Sequence, residues 1–182
     1  RQCRSLRVPV DQFRPSRSQR RLLARNSDIR VVVQPPSVTE DHIRLYNAWH
    51  RERELSRGWR PGAITAFEYE HAFLAGYWSF AREFLYYRGD RLLGVGLVDI
   101  VPDAVSSIYF YYDPEWRPLG PGTFSVLQEL EFCQETGRRY NYLGYWIAAC
   151  ESMAYKSSYR PHELLDEYVA DDAEPVWRFP PD

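Results

Sequence analysis

Arg117-Pro118-Leu119-Gly120-Pro121-Gly122 stands just before a stretch with helical apolar spacing, so an R-x-x-G-x-G pattern sits at a helix start. Glycine lets backbone approach a ligand, and the unpaired N–H groups of a helix N-terminus attract an anion. Arg117, Gly120 and Gly122 are thus candidates for a crevice that holds a phosphate-bearing group. The competing reading is a Pro/Gly turn without a ligand, since short glycine patterns recur by chance. Metal chemistry has no comparable spacing. His42, His50, His71 and His162 do not combine with cysteines or acids as ligand sets, and read as structural or solvent-facing; no metal and no cofactor is expected. No Ser–His–Asp order suggests a hydrolase. Glu129 and Glu131, further along the same stretch, read as solvated or helix-stabilising.

Charge offers a second candidate surface. Net charge is only −2, yet residues 1–30 hold nine arginines against two aspartates, while Glu163–Glu174 is acidic. A basic end on a near-neutral chain is either a phosphate contact or a solvated arm. The three cysteines, Cys3, Cys133 and Cys150, are odd in number and far apart, which argues for a reducing, cytoplasmic setting rather than a disulfide framework. Hydrophobic residues at 45% and charged residues at 26% match an ordinary soluble protein, and no apolar run reaches the ~20 residues of a membrane helix. A chain of 182 residues suits one domain with a sizeable core.

Positioning those residues falls to elements that the pattern lays out in order. The first twenty-odd residues look extended, with Arg7–Val10 as an edge strand. Ile29–Val33 reads as a strand ended by Pro35-Pro36. Thr39 caps a helix that stops at Gly58, and Phe67–Tyr77 is a weaker one. Glu83–Arg88 and Arg91–Val101 form a hairpin at Gly89-Asp90, and Val105–Tyr112 is a third strand. Thr123–Glu135 is an amphipathic helix, Arg139–Ile147 a strand and Ala148–Ser157 a short helix, with a final strand near Val176–Phe179. This is α+β with a mixed sheet flanked by helices, the order of the GCN5-related N-acyltransferase fold. Acyl-CoA acetyltransferases of that fold use the R-x-x-G-x-G spacing for the CoA pyrophosphate.

A set of motifs in one order is more specific. They are RVPV (Arg7–Val10), FRPSRSQRR (Phe13–Arg21), NSD (Asn26–Asp28), GVGLVD (Gly94–Asp99), SSIYFYYDP (Ser106–Pro114), YLGYWI (Tyr142–Ile147) and C-x-x-M-x-Y-K-x-x-Y-R-P (Cys150–Pro161). From about Cys3 to Leu165 the chain resembles the C-terminal region of the arginyl/leucyl aminoacyl-tRNA–protein transferases, most of all the bacterial aspartate/glutamate leucyltransferases. The resemblance implies transfer of an amino acid, leucine favoured, from aminoacyl-tRNA to proteins that begin with Asp or Glu, marking them for degradation. The family's N-terminal cysteine-rich motif has no counterpart within these residues beyond Cys3, which matches its last cysteine. Residues 1–25 are accordingly expected to be a remnant or linker, and 26–182 the catalytic domain. Pro118-Leu119-Gly120-Pro121-Gly122 and Asn47-Ala48-Trp49-His50 depart from the family pattern and could shift donor specificity.

Within that resemblance, the reaction is aminolysis of an activated ester, which needs positioning and charge stabilisation. Asp99, at the end of GVGLVD, is the candidate base or amine-orienting group, against a structural role in a turn. Tyr142 and Tyr145 are candidates to protonate or orient the leaving hydroxyl. Strand alternation puts them on opposite faces, so one of them belongs to the core. Arg17, Arg20, Arg21, Lys156 and Arg160 are candidates for the acceptor carboxylate or tRNA phosphates. Alternatives to leucyl transfer are arginyl transfer, CoA-dependent acetylation, and a non-catalytic module for acidic N-termini or RNA. The oligomeric state is not legible, and no membrane partner is expected.

Overall fold

The computed structural model describes residues 3–76, 78–170 and 172–180. Among the described residues eight strands form one sheet in the order β2-β3-β4-β5-β6-β1-β7-β8. They span Arg4–Pro9 (β1), Ile29–Gln34 (β2), Ala81–Arg88 (β3), Arg91–Val101 (β4), Ala104–Tyr112 (β5), Tyr140–Trp146 (β6), Glu163–Leu165 (β7) and Trp177–Arg178 (β8). Every neighbouring pair is antiparallel except β5 and β6. The helix between those two strands is the crossover that a parallel pair requires.

Helices cover both faces. On one face lie α1 (Arg17–Arg25) and α4 (Pro121–Glu135), whose Leu22, Phe124, Leu127 and Leu130 close a core with Leu6, Val8, Leu93, Val98 and Leu143. On the other lie α2 (Glu40–Arg57) and α3 (Ala66–Tyr69), packing Leu45, Tyr46, Trp49 and Tyr69 against Leu92, Val95, Leu97 and Tyr111. Strand β4 therefore feeds both cores, which is why it reads as a nearly continuous apolar run.

Local chemistry sets the helix ends. Thr39 Oγ1 accepts from the His42 N–H at the start of α2, and Gly58 ends it at φ +65°. A Thr65/Glu68 capping box starts α3, which runs into one π-helical turn over Glu70–Leu74. Tyr77, the last residue of the expected second helix, lies outside the described residues, as do Arg1 and Gln2 of the expected linker. Short α5 (Glu151–Ala154) continues as a 3-10 turn over Tyr155–Ser158.

The N-terminal stretch differs from expectation in two ways. Residues 17–25 are helical, because Ser16 and Gln19 form a capping box that nucleates α1. Residues 4–25 are also no linker. β1 lies between β6 and β7, and its Leu6 and Val8 are 0% exposed in the core. A boundary at residue 25 would cut through packed apolar side chains.

Candidate active site

Parallel pairing between β5 and β6 covers only Ala104–Ser106 against Tyr140–Tyr142, although β5 runs on to Tyr112 and β6 to Trp146. Beyond Ser106 and Tyr142 the strands part, so their facing N–H and C=O groups have no partner in each other. Two bulges flank this wedge. Between β4 and β5, Val98 faces Ser107 and Leu97 faces Tyr109, leaving Ile108 as an extra, exposed residue. Between β1 and β6, Arg7 faces Tyr142 and Leu6 faces Gly144, leaving Leu143 extra. Bulges of this kind re-aim side chains.

The second bulge overturns the alternation expected for the tyrosines. Leu6 and Leu143 point into the α4-side core, and Gly144 adopts φ +74°, a conformation that favours glycine. Tyr145 then pairs with Ser5, one step from Leu6, and stands on the same face as Tyr142 and Arg7. Neither tyrosine is a core residue, and Tyr145 is 59% exposed.

One row of paired residues crosses the sheet on this face: Asp99, Ser106, Tyr142, Arg7 and Glu163. Arg7 Nε donates to Glu163 Oε2 at 2.6 Å, and Arg7 Nη1 donates to the Tyr142 hydroxyl at 3.2 Å. The guanidinium lies over the Tyr140 and Trp177 rings, 3.8 and 4.3 Å from their centres. Asp99, at the other end, is half-buried, and burial pushes its carboxyl above the ordinary range.

Helix α1 and the turn after α5 both pack beside the start of α4, through Leu22 against Gly120 and Tyr159 against Thr123. Gln19 Nε2 of α1 donates to the Ser158 carbonyl at 3.4 Å, and Phe13 packs against Tyr159. This seats Arg17, Arg20 and Arg21, all exposed, beside the turn that carries Lys156 and Arg160. On its other side α1 supports the glycine turn. Gly120 sits at φ +71°, where a Cβ would come 2.8 Å from Leu22 Cδ1. Asn26 Nδ2 donates to the Leu119 carbonyl at 3.0 Å, and Trp116 Nε1 donates to Asn26 Oδ1 at 2.8 Å. The start of α4 has no side-chain cap. Gly122 leaves open space beside it, whereas Arg117 reaches away to Glu52 at 2.9 Å. Lys156 Nζ donates to the Tyr145 carbonyl at 2.8 Å, and burial pulls its pKa down. Two ammonium protons remain for another acceptor.

Glu129, which the sequence presents as solvated or helix-stabilising, is not solvated. It is 3% exposed, with its carboxylate accepting from Ser107 Oγ and from Asn141 Nδ2, the latter at 3.3 Å. Burial raises its pKa to about 7. The available signal was its place between Val126 and Cys133, three and four residues away, on a helix buried along that face. The histidines are structural in part: His42 Nε2 meets buried Glu83 at 3.2 Å, while His50 Nε2 meets the Tyr109 hydroxyl at 3.2 Å. Among the described residues no three His, Cys, Asp or Glu side chains are grouped to hold a metal.

A family model described as "Arginine-tRNA-protein transferase, C terminus" matches residues 41–166. The chain belongs to that family. Its relatives include the aspartate/glutamate leucyltransferase of Campylobacter jejuni, 35% identical over 90% of this chain and 69% of the relative. Those of Helicobacter hepaticus (36%, covering 96% and 73%) and Halorhodospira halophila (39%, covering 90% and 69%) are similar. Among solved structures, the C-terminal domain of a putative lysylphosphatidylglycerol synthetase from Agrobacterium fabrum matches with TM-score 0.60 at 13% identity, covering 79% of this chain and 46% of that one. FemX matches at 0.56 and 10% identity, covering 85% and 57%. A possible acetyltransferase from Clostridium difficile matches at 0.51 and 12%, covering 81% and 98%. These likenesses establish the GCN5-related N-acyltransferase fold for the transferase chain. Within the described residues of this family member, no helix is long and apolar enough to cross a membrane.

Proposed function

We propose that the chain transfers leucine from leucyl-tRNA to the α-amino group of proteins whose first residue is Asp or Glu, marking them for degradation. The observation that carries this reading is the similarity to leucyltransferases over 90% of the chain. The wedge between β5 and β6 supplies a place for the reaction.

In this reading the 3′ end of the tRNA enters the wedge. The uncapped start of α4 and the cations of α1 take its phosphates. The acceptor's amine attacks the ester carbonyl, and the ribose oxygen leaves with a proton. Tyr142, whose hydroxyl already accepts from Arg7, is placed to donate that proton. Asp99 serves as the amine-orienting group, and the attacking amine, reacting in its neutral form, gives its proton to water. Lys156 and Arg160 offer charge to the acceptor's carboxylate. A supply of charged tRNA puts the reaction in the cytoplasm.

The deciding experiment supplies an Asp-starting peptide with labelled leucyl-tRNA, arginyl-tRNA or acetyl-CoA. Transfer from leucyl-tRNA is the expected outcome. Transfer from acetyl-CoA alone would remove tRNA from the account, and peptide binding without transfer would leave a recognition module.

A further inference from the structure

A groove on the α3 side of the sheet ends at Asp99. Its inner part, about 110 Å³, is lined by Phe73, Ala81, Leu97, Asp99 and Ile108. It shares Pro36, Phe73, Ala81 and Arg82 with an outer part of about 320 Å³ that adds Pro35, Leu74 and Trp78. The walls are mostly apolar, with Ser79 the polar exception besides the charged groups. Trp78 is 62% exposed and stacks on Phe80, with ring centres 5.8 Å apart. Two charged groups face the space. One is the Asp99 carboxylate, which has no hydrogen-bond or ion-pair partner among the described residues. The other is Arg82, folded back to donate to the Ser79 and Ala81 carbonyls at 2.8 and 2.6 Å.

We infer that this groove receives the leucyl part of the donor, with its α-ammonium on Asp99 and its isobutyl group against Phe73, Pro36 and Trp78. The inference rests on the leucyl-transfer reading above. A free aminoacyl ester is a cation next to a side chain, and the groove offers an unpaired acid next to apolar walls. An arginyl side chain would place a second cation at the outer end, where the described lining residues include Arg82 and no acid. An acidic acceptor residue would meet Asp99 with like charge, whereas Lys156, bonded to the Tyr145 carbonyl, offers the opposite charge. Ser106 lies between Asp99 and Tyr142, one strand spacing of ~4.8 Å from each, so a leucyl group held at Asp99 presents its ester carbonyl toward Tyr142.

The test uses the full-length protein, an Asp-starting peptide, and tRNA charged with leucine, N-acetylleucine or arginine. Binding of 3′-leucylamido-3′-deoxyadenosine, an unreactive amide, and of its N-acetyl form is measured alongside. Wild type is expected to bind the free-amine form about tenfold more tightly or better, the loss typical of one charge-assisted hydrogen bond. Asp99→Asn is expected to erase that preference, and Trp78→Ala to weaken leucyl binding without changing the melting temperature. An Asp99→Asn protein that keeps the preference, or a Trp78→Ala protein that binds as wild type, overturns the groove while leucyl transfer stands. Transfer of arginine but not leucine by wild type overturns both readings together.

Discussion

Arg7 donates to the Tyr142 hydroxyl at 3.2 Å, which occupies an acceptor position and leaves the phenolic proton free to be given away. Tyr142→Phe is expected to lower kcat about a hundredfold, the scale of general-acid help, with the peptide KM and melting temperature little changed. Arg7→Gln should lower both stability and kcat, because it also removes the donor that holds the Tyr142 hydroxyl. It strands Glu163, part-buried at 14% side-chain exposure, so the loss should fall below the ~3–5 kcal/mol of a fully buried pair. Urea denaturation beside steady-state kinetics separates the two.

Glu129 makes stability depend on pH. Its carboxyl titrates at about 7 in the fold against an ordinary 4.5. The folded chain therefore keeps a proton that the unfolded chain releases. The contribution is complete below pH 4.5 and is lost as pH rises toward 7, at ~1.4 kcal/mol for each pH unit between the two values. Glu129→Gln should flatten that slope and gain on wild type above pH 7. Denaturant midpoints at pH 5, 6, 7 and 8 check it, and parallel curves for the two proteins would reject it.

Lys156 and the α1 arginines should separate kinetically. Lys156→Ala is expected to raise the KM for Asp-starting peptides with kcat kept. Unchanged peptide kinetics would remove Lys156 from the acceptor site. Arg20→Ala with Arg21→Ala should weaken tRNA binding and reduce its salt slope by about 0.7 for each lost phosphate contact. Titrations of tRNA across a salt series report the slope directly.

Gly144→Ala tests the bulge. An added Cβ meets nothing closer than Lys156 Nζ at 3.9 Å, so the penalty is conformational rather than steric. Holding alanine at φ +74° costs ~1–2 kcal/mol. The variant should melt lower and lose activity beyond that, because relief of the strain turns Tyr145 away from the face it shares with Tyr142. Full activity in a folded Gly144→Ala protein would show that the shared face is dispensable.

Much of this molecule can be read from local signals. Thr39 and Gly58 bound α2, and Gly89-Asp90 sets the β3–β4 hairpin, because caps and tight turns depend on residues close in sequence. The α1 helix was legible only through Ser16 and Gln19, since its arginine-rich stretch hides a short apolar face. The bulge at Leu143 was not legible. It depends on how β1 registers against β6, a pairing across some 135 residues that no local spacing encodes. The same limit hid Glu129, whose partners Ser107 and Asn141 come from two other strands. Asp99 was singled out by motif, yet the walls beside it come from β2's exit, the π-helical turn and β3.

The insertion of β1 between β6 and β7 also sets a timetable. Arg7 cannot find Tyr142 or Glu163 until the last third of the chain exists, because those partners lie 135 and 156 residues away. Loop closure over such separations slows folding, and on the ribosome the β2–β5 meander can form while β1 still waits. The half of the sheet that carries the tyrosines is completed last, so a prematurely terminated chain would carry the Asp99 groove without the residues that face it.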